Sequence, residues 1–345
     1  MKLLLVCALA LIFGGCCSFS ARGYRGPKSD HFDGEKFLNT CATQPEAGFF
    51  GLLSWVVDRD PGPWPEWLDE APGEKPRERV GRGELVVTAV GHATMLIQMD
   101  GLNILTDPVW SEAIGPEPFT VTRRHRAPGL RFEDLPPIDL VLISHDHYDH
   151  LDVPTLRRLM AASSPRIGAG LGTSEFLRSQ GIRGGRDFDW WDSHPVSREV
   201  TVTAVPNQHF SNRGICDRDR VLWTAFVISG PAGKVYIAGD TGYGPHFAEV
   251  GQRMGPFRLA ILPIGAFRPE WFMDRVHVSP EEALAAAVDL RAEQAMGYHF
   301  GTFRLADDGF EEPGQRIRRA LAEAGLPGDR FWVPTFGEGR VVPRR

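Results

Sequence analysis

Apolar positions along this chain follow two rhythms. Over residues 84–90, 93–99 and 102–105 they alternate with polar ones or run unbroken, the patterns of half-buried and fully buried strands. Asp100-Gly101, between the second and third runs, is a hairpin turn pair. Further strands are expected over residues 138–143, 200–205, 222–228, 234–238 and 259–262. Helical spacing instead marks residues 153–162, 173–180, 280–289 and 314–324. The third of these opens on Ser279-Pro280-Glu281-Glu282, which supplies an N-cap, a proline at the first helical position and early acids. Strands come first, then strands and helices together, and no repeat is visible. The pattern therefore predicts one layered α/β domain over residues 84–345.

The amino terminus departs from that pattern. Lys2 precedes an apolar run over residues 3–13, too short to span a bilayer but matching the core of an export leader. Phe13-Gly14-Gly15-Cys16 reads as a lipobox. Residues 1–16 are thus expected to be a leader and Cys16 to carry a lipid that anchors the protein in a bacterial envelope membrane, facing the periplasm. A plain secreted protein and an uncleaved anchor are the alternatives. Residues 17–47, polar and aperiodic, are expected to be a tether. Residues 48–83 mix Trp55, Trp64 and Trp67 with prolines, which suggests an irregular extension packed on the domain. Cys17, Cys41 and Cys216 have no paired spacing, so no disulfide framework is expected, and Cys216 reads as a buried or idle thiol.

Composition narrows the function classes. With 38 Lys+Arg against 44 Asp+Glu the net charge is −6, which argues against a nucleic-acid partner. A chain 42% hydrophobic and 24% charged is not globally disordered. Its 38 Gly and 27 Pro suit strands joined by tight turns better than a helical bundle.

The chemistry concentrates after the strand expected at 138–143, in Ser144-His145-Asp146-His147-Tyr148-Asp149-His150-Leu151-Asp152. Three imidazoles and three carboxylates so close together point to metal ligation. His145 and His147 can face one position while Asp149 and His150 face a second, so one segment can serve two ions. Zinc takes about four ligands, so donors from elsewhere are required. His209, Asp240 and His299 each follow a strand-like run, and open sheets gather their ligands at strand ends. Taken alone, His209 and His299 would more often be structural and Asp240 a turn residue. Asp107, in Leu105-Thr106-Asp107-Pro108, either caps a turn or braces the metal loop from behind its ligands. His31, His125, His194 and His246 receive no role. Phe267, Trp271, Phe272 and Met273, just before His277, either line an acyl groove or pack in the core.

The order His145-x-His147-x-Asp149-His150, then His209, Asp240 and His299, resembles the metallo-β-lactamase superfamily. More narrowly, a set of ordered blocks looks like the N-acylphosphatidylethanolamine-hydrolysing phospholipase D family: Val90-Gly91-His92-Ala93-Thr94, Leu105 to Pro108, Ser144 to Asp152, Asp189-Trp190-Trp191, Gly239-Asp240-Thr241-Gly242-Tyr243, Ile264-Gly265-Ala266, Trp271-Phe272-Met273 and Gly301-Thr302-Phe303. The likeness runs from about residue 50 to 340. It implies a four-layer αββα sandwich and two zinc ions. His145, His147 and His209 would hold one, Asp149, His150 and His299 the other, and Asp240 would bridge them. Val276 stands where mammalian members have Gln, which bears on the substrate pocket.

The implied reaction hydrolyses N-acylphosphatidylethanolamine, a membrane phospholipid, to N-acylethanolamine and phosphatidic acid by attack of zinc-bound hydroxide. Asp149 or Asp240 would accept the water proton. His277 would contact the phosphate or leaving group, or serve structure alone. The same centre suits another ester, a lactone or a different phosphodiester. From another class, a non-catalytic zinc-binding envelope lipoprotein is the rival reading, although structural zinc sites are usually closed by four side chains and favour Cys. His and carboxylate ligands also accept iron or manganese, and the oligomeric state, a homodimer included, stays open.

Overall fold

The computed structural model describes residues 23–40, 48–116, 121–214 and 216–344, without the side chains of 48–50. The expected leader and lipobox, with Cys16, Cys17 and Cys41, lie outside the described residues.

Two seven-stranded sheets carry the fold. The first runs Gly339–Val341, Leu85–Gly91, Thr94–Met99, Leu102–Thr106, Leu140–Ile143, Arg166–Gly170, Gly185–Phe188. It is antiparallel up to Leu102–Thr106 and parallel beyond. The second runs Phe331–Trp332, Ala295–Tyr298, Leu259–Pro263, Gly233–Ile237, Ala225–Gly230, Thr201–Val205, Ser193–Pro195, parallel over its first four strands and antiparallel after them.

Val87, Ile97 and Leu142 of the first sheet meet Val202, Phe226 and Ile261 of the second in one buried cluster. Their neighbours point the other way. Leu96, Val141 and Ile143 lie under the helices Val153–Ala162 and Thr173–Ser179. Val227, Tyr236 and Leu262 lie under His246–Met254, Pro280–Asp289 and Glu312–Glu323. The layering is αββα. Strands buried on both faces read as unbroken apolar runs, which is why several of them lack clean alternation.

Local chemistry accounts for the turns and caps. Asp100 and Gly101 take φ of 50° and 80°, the left-handed pair that a tight hairpin between Thr94–Met99 and Leu102–Thr106 requires. Ser279 and Glu282 form a reciprocal capping box on the helix Pro280–Asp289. Ser279→Ala is expected to cost about 1 kcal/mol, read as a lowered urea midpoint with unchanged slope.

Several expectations are corrected. Residues 23–40 are no free tether: Phe32 and Phe37 are buried with Trp190 and Trp223. The extension over residues 48–83 begins with a regular helix, Gly48–Val57, and Trp55 of that helix donates to Asp307 at 2.8 Å. Cys216 is exposed and disulfide-bonded rather than an idle thiol. The strands Arg166–Gly170 and Gly185–Phe188 escaped notice because Gly168, Gly170 and Gly185 dilute their pattern. Among the described residues no helix is long and apolar enough to cross a membrane.

Candidate metal centre

Leu85–Gly91, Leu102–Thr106 and Leu140–Ile143 run in one direction through the first sheet, so the residues that follow them leave from one edge. These carry His92, Asp107 and the loop beginning at Ser144. Gly233–Ile237 and Ala295–Tyr298 do the same in the second sheet and lead to Asp240 and His299. His92, Asp107 and His299 take φ of 51°, 37° and 60°. Left-handed backbone at these three non-glycine positions stores strain at the site. Gly239 has φ of 69°, and a Cβ there would stand 2.8 Å from that of Ser144, so glycine alone lets Asp240 approach the histidine loop.

The seven expected ligands come together. His145 Nε2 lies 2.8 Å from His147 Nδ1, and His209 Nε2 lies 3.3 Å from that same atom. Asp149 Oδ2 is 3.4 Å from His150 Nε2 and 3.4 Å from His299 Nε2. Between the two groups, Asp240 Oδ2 lies 3.0 Å from His299, 3.1 Å from His150 and 3.9 Å from His209. His277 stands beside them, mostly buried, its Nδ1 3.9 Å from Asp240 Oδ2.

Partners behind the rings fix which nitrogen faces inward. Asp107 accepts from the Ser144 N–H at 2.7 Å, the Ser144 hydroxyl at 2.8 Å and His150 Nδ1 at 2.8 Å. Because the hydroxyl donates to Asp107, Ser144 Oγ accepts from His145 Nδ1 at 2.9 Å. One carboxylate therefore turns the Nε2 of both His145 and His150 inward, and of its two sequence readings Asp107 takes the bracing one. His209 Nδ1 donates to the Val276 carbonyl at 3.0 Å. Every residue offers that carbonyl, so Val276→Gln is expected to bind as much metal as the wild type, measured by elemental analysis.

Of the three carboxylates in the loop, only Asp149 faces the centre. Asp146 accepts from the Asn212 N–H, and Asp152 accepts from Ser111 and Thr155 at the start of the helix Val153–Ala162. The centre also holds a residue to which no role was assigned, His92. Its Nε2 lies 2.8 Å from Asp149 Oδ2, and its carbonyl accepts the His299 N–H at 2.9 Å. A lone His in a turn between strands carries little information, and only the fold brings it to Asp149. The aromatic run before His277 divides: Phe267 is in the core, Phe272 stacks on Trp55 with centroids 5.1 Å apart, and Trp271 is exposed.

Burial pushes His145 and His209 far below the ordinary imidazole range and holds His147 and His277 at about 4 and His92 at about 3. These rings are neutral at pH 7, the form in which imidazole binds a metal. Burial opposes charge on His150 and His299 as well, but Asp240 and Asp149 outweigh it, so His150 lies well above its ordinary value and His299 at about 9. Protons held there occupy the place of a cation, and metal binding releases such protons. Asp240 Oδ1 and His277 Nδ1 are buried without a hydrogen bond among the described residues. Orphaned polar atoms amid converging nitrogen and oxygen donors fit a divalent ion, with His145, His147 and His209 in one ligand group and His92, Asp149, His150 and His299 in another.

Comparison with known proteins gives a consistent picture. Residues 102–300 match the family model of the β-lactamase superfamily domain. An uncharacterized protein of Mycobacterium tuberculosis is 38% identical over 270 residues, which cover 75% of this chain and 71% of that one. The N-acyl-phosphatidylethanolamine-hydrolyzing phospholipase D 1 of Caenorhabditis elegans is 33% identical over 267 residues, 74% of this chain and 75% of that protein. Among solved structures, an isothiocyanate hydrolase from Delia radicum gut bacteria aligns with a TM-score of 0.60 at 22% identity, over 74% of this chain and 98% of that one. At that identity the likeness speaks for the fold.

Proposed function

The chain belongs to the β-lactamase superfamily as a metal-dependent hydrolase, and on that premise we propose that it holds two zinc ions and cleaves N-acylphosphatidylethanolamine to phosphatidic acid and an N-acylethanolamine. The observation that carries the two-ion reading is Asp240 standing between two groups of donors, none of them a cysteine that would close a structural site. The substrate class draws on the 33% identity to the nematode enzyme.

Held by His145, His147, His209, Asp149, His150, His299 and Asp240, the ions would supply Lewis acidity, lowering the pKa of water and neutralising phosphoryl charge. The chain's own residues do the rest. A water oxygen bonds to phosphorus, the bond from phosphorus to the ethanolamine oxygen breaks, and that oxygen takes up a proton. Asp149 or Asp240 accepts the proton the water gives up. The His92 ring holds Asp149 in place, its Nε2 2.8 Å from the carboxylate Oδ2. His277, neutral at pH 7 and partly exposed beside Asp240, presents an N–H to the phosphate or the departing oxygen.

A lipid substrate suits the surroundings of His277. The helix Gly48–Val57 exposes Leu52, Leu53, Val56 and Val57, and its Trp55 stacks on Phe272, close before His277 in the chain. An exposed apolar face of this kind suits contact with a bilayer. Export to the bacterial envelope, with an anchor at Cys16, is part of the same proposal, and the Cys216 disulfide suits an oxidising compartment.

The test is the full chain on N-acylphosphatidylethanolamine in mixed micelles prepared in ¹⁸O-water, with products read by mass spectrometry. The reading expects chelator-sensitive release of N-acylethanolamine with the label in phosphatidic acid. Release of free fatty acid, or turnover of a lactone with the phospholipid untouched, would contradict it.

A further inference from the structure

Residues 23–40 reach the metal centre from outside the sandwich. Phe32 and Phe37 pack against each other with ring centroids 4.6 Å apart and are buried beside Trp190, Leu222 and Trp223. The segment is tied to the loop that follows His209: the Tyr24 N–H donates to the Arg220 carbonyl at 2.8 Å and the Phe37 N–H to the Asp219 carbonyl at 2.7 Å. His31 lies against the Trp190 ring at 4.4 Å, with Nε2 2.7 Å from an Asp189 carboxylate oxygen. So fastened, the segment delivers Asn39 to His209. Asn39 Nδ2 donates to the His209 carbonyl at 2.8 Å, and Asn39 Oδ1 accepts the His209 N–H at 3.1 Å. The same Oδ1 accepts from Trp223 Nε1 at 3.0 Å, which fixes the orientation of the amide.

His209 is held differently from His299 and His150. His299 directly follows its strand, and its N–H bonds to the His92 carbonyl; the His150 N–H bonds to the His147 carbonyl within its own loop. His209 lies in a loop past the end of Thr201–Val205, and among the described residues Asn39 supplies the hydrogen bonds of its backbone. Its ring is then fixed by the Val276 carbonyl, so two contacts from distant parts of the chain set where Nε2 points.

We infer that Asn39 is a positioning residue of the metal centre: residues 23–40 form a strap whose terminal amide holds the His209 backbone and so places its Nε2 beside His147 and Asp240. The inference rests on reading the His/Asp cluster as a metal site. Its consequence is that a segment outside the sandwich tunes metal affinity. Ligand-supporting partners of this kind typically contribute about 10–100-fold in metal affinity.

The experiment compares the full chain with Asn39→Ala and Asn39→Asp. Zinc affinity is measured by competition with a chromophoric chelator, the cobalt-substituted forms give d–d spectra, and the metal-stripped forms are melted thermally. Asn39→Asp keeps the shape and the acceptor but sets a carboxylate oxygen against the His209 carbonyl, so it separates loss of grip from loss of volume. Both variants are expected to bind zinc roughly 10–100-fold more weakly and to shift the cobalt spectrum. Unchanged affinity and spectrum in either variant, with or without a lower melting point, would reduce Asn39 to packing and overturn the inference. A wild type that binds no zinc would overturn the metal reading and the inference with it, so the two failures are distinguishable.

Discussion

Hydrolysis by the Asp240→Asn variant is expected to fall roughly 10³-fold or more while the fold persists, because several kcal/mol of transition-state stabilisation depend on the centre that this carboxylate joins. Asp240 Oδ2 reaches His150 and His299 on one side and His209 on the other, within 3.9 Å of each. Asparagine keeps the shape and removes the charge, so it cannot neutralise the two cations of the proposed centre. The comparison is kcat/KM on a phosphodiester together with metal content and circular dichroism. A loss of less than tenfold, with metal retained, would show that Asp240 does not join the two groups.

Asp107→Ala is expected to damage both metal binding and stability. The substitution strips the acceptor from the Ser144 N–H, the Ser144 hydroxyl and His150 Nδ1, all buried. Each buried donor left without a partner costs about 1–3 kcal/mol. The total expected loss is about 3 kcal/mol or more, read from denaturant unfolding of the metal-stripped forms. Metal affinity should also weaken by about 10–100-fold, because His150 loses its tautomer-fixing partner and His145 loses it through Ser144. Wild-type affinity in this variant would mean that the rings are held by packing alone.

The candidate ligands were legible in the sequence because they fall in loops that follow buried strands: His145 to His150 after Leu140–Ile143, His209 after Thr201–Val205, Asp240 after Gly233–Ile237 and His299 after Ala295–Tyr298. The hairpin at Asp100-Gly101 and the capping box at Ser279 were legible because their chemistry is local. His92 was not, since its function depends on Asp149 57 residues away and its own turn gives no hint of that. Asn39 and His31 act over longer spans still, and in so polar a segment two buried phenylalanines set no period. The helix Gly48–Val57 was obscured because nearby prolines and tryptophans suggested irregularity throughout. In each case the missing information was tertiary: which distant element a side chain meets. The metallo-β-lactamase fold itself was visible from the order of the motifs.

Zinc titrated into metal-stripped full chain, with N-acylethanolamine release followed at each addition, tests the two-ion hydrolase most directly. The proposed two-ion reading predicts no turnover before metal is added and full activity only as the second equivalent per chain is bound. Turnover by the stripped protein, or activity complete at one equivalent, would contradict it.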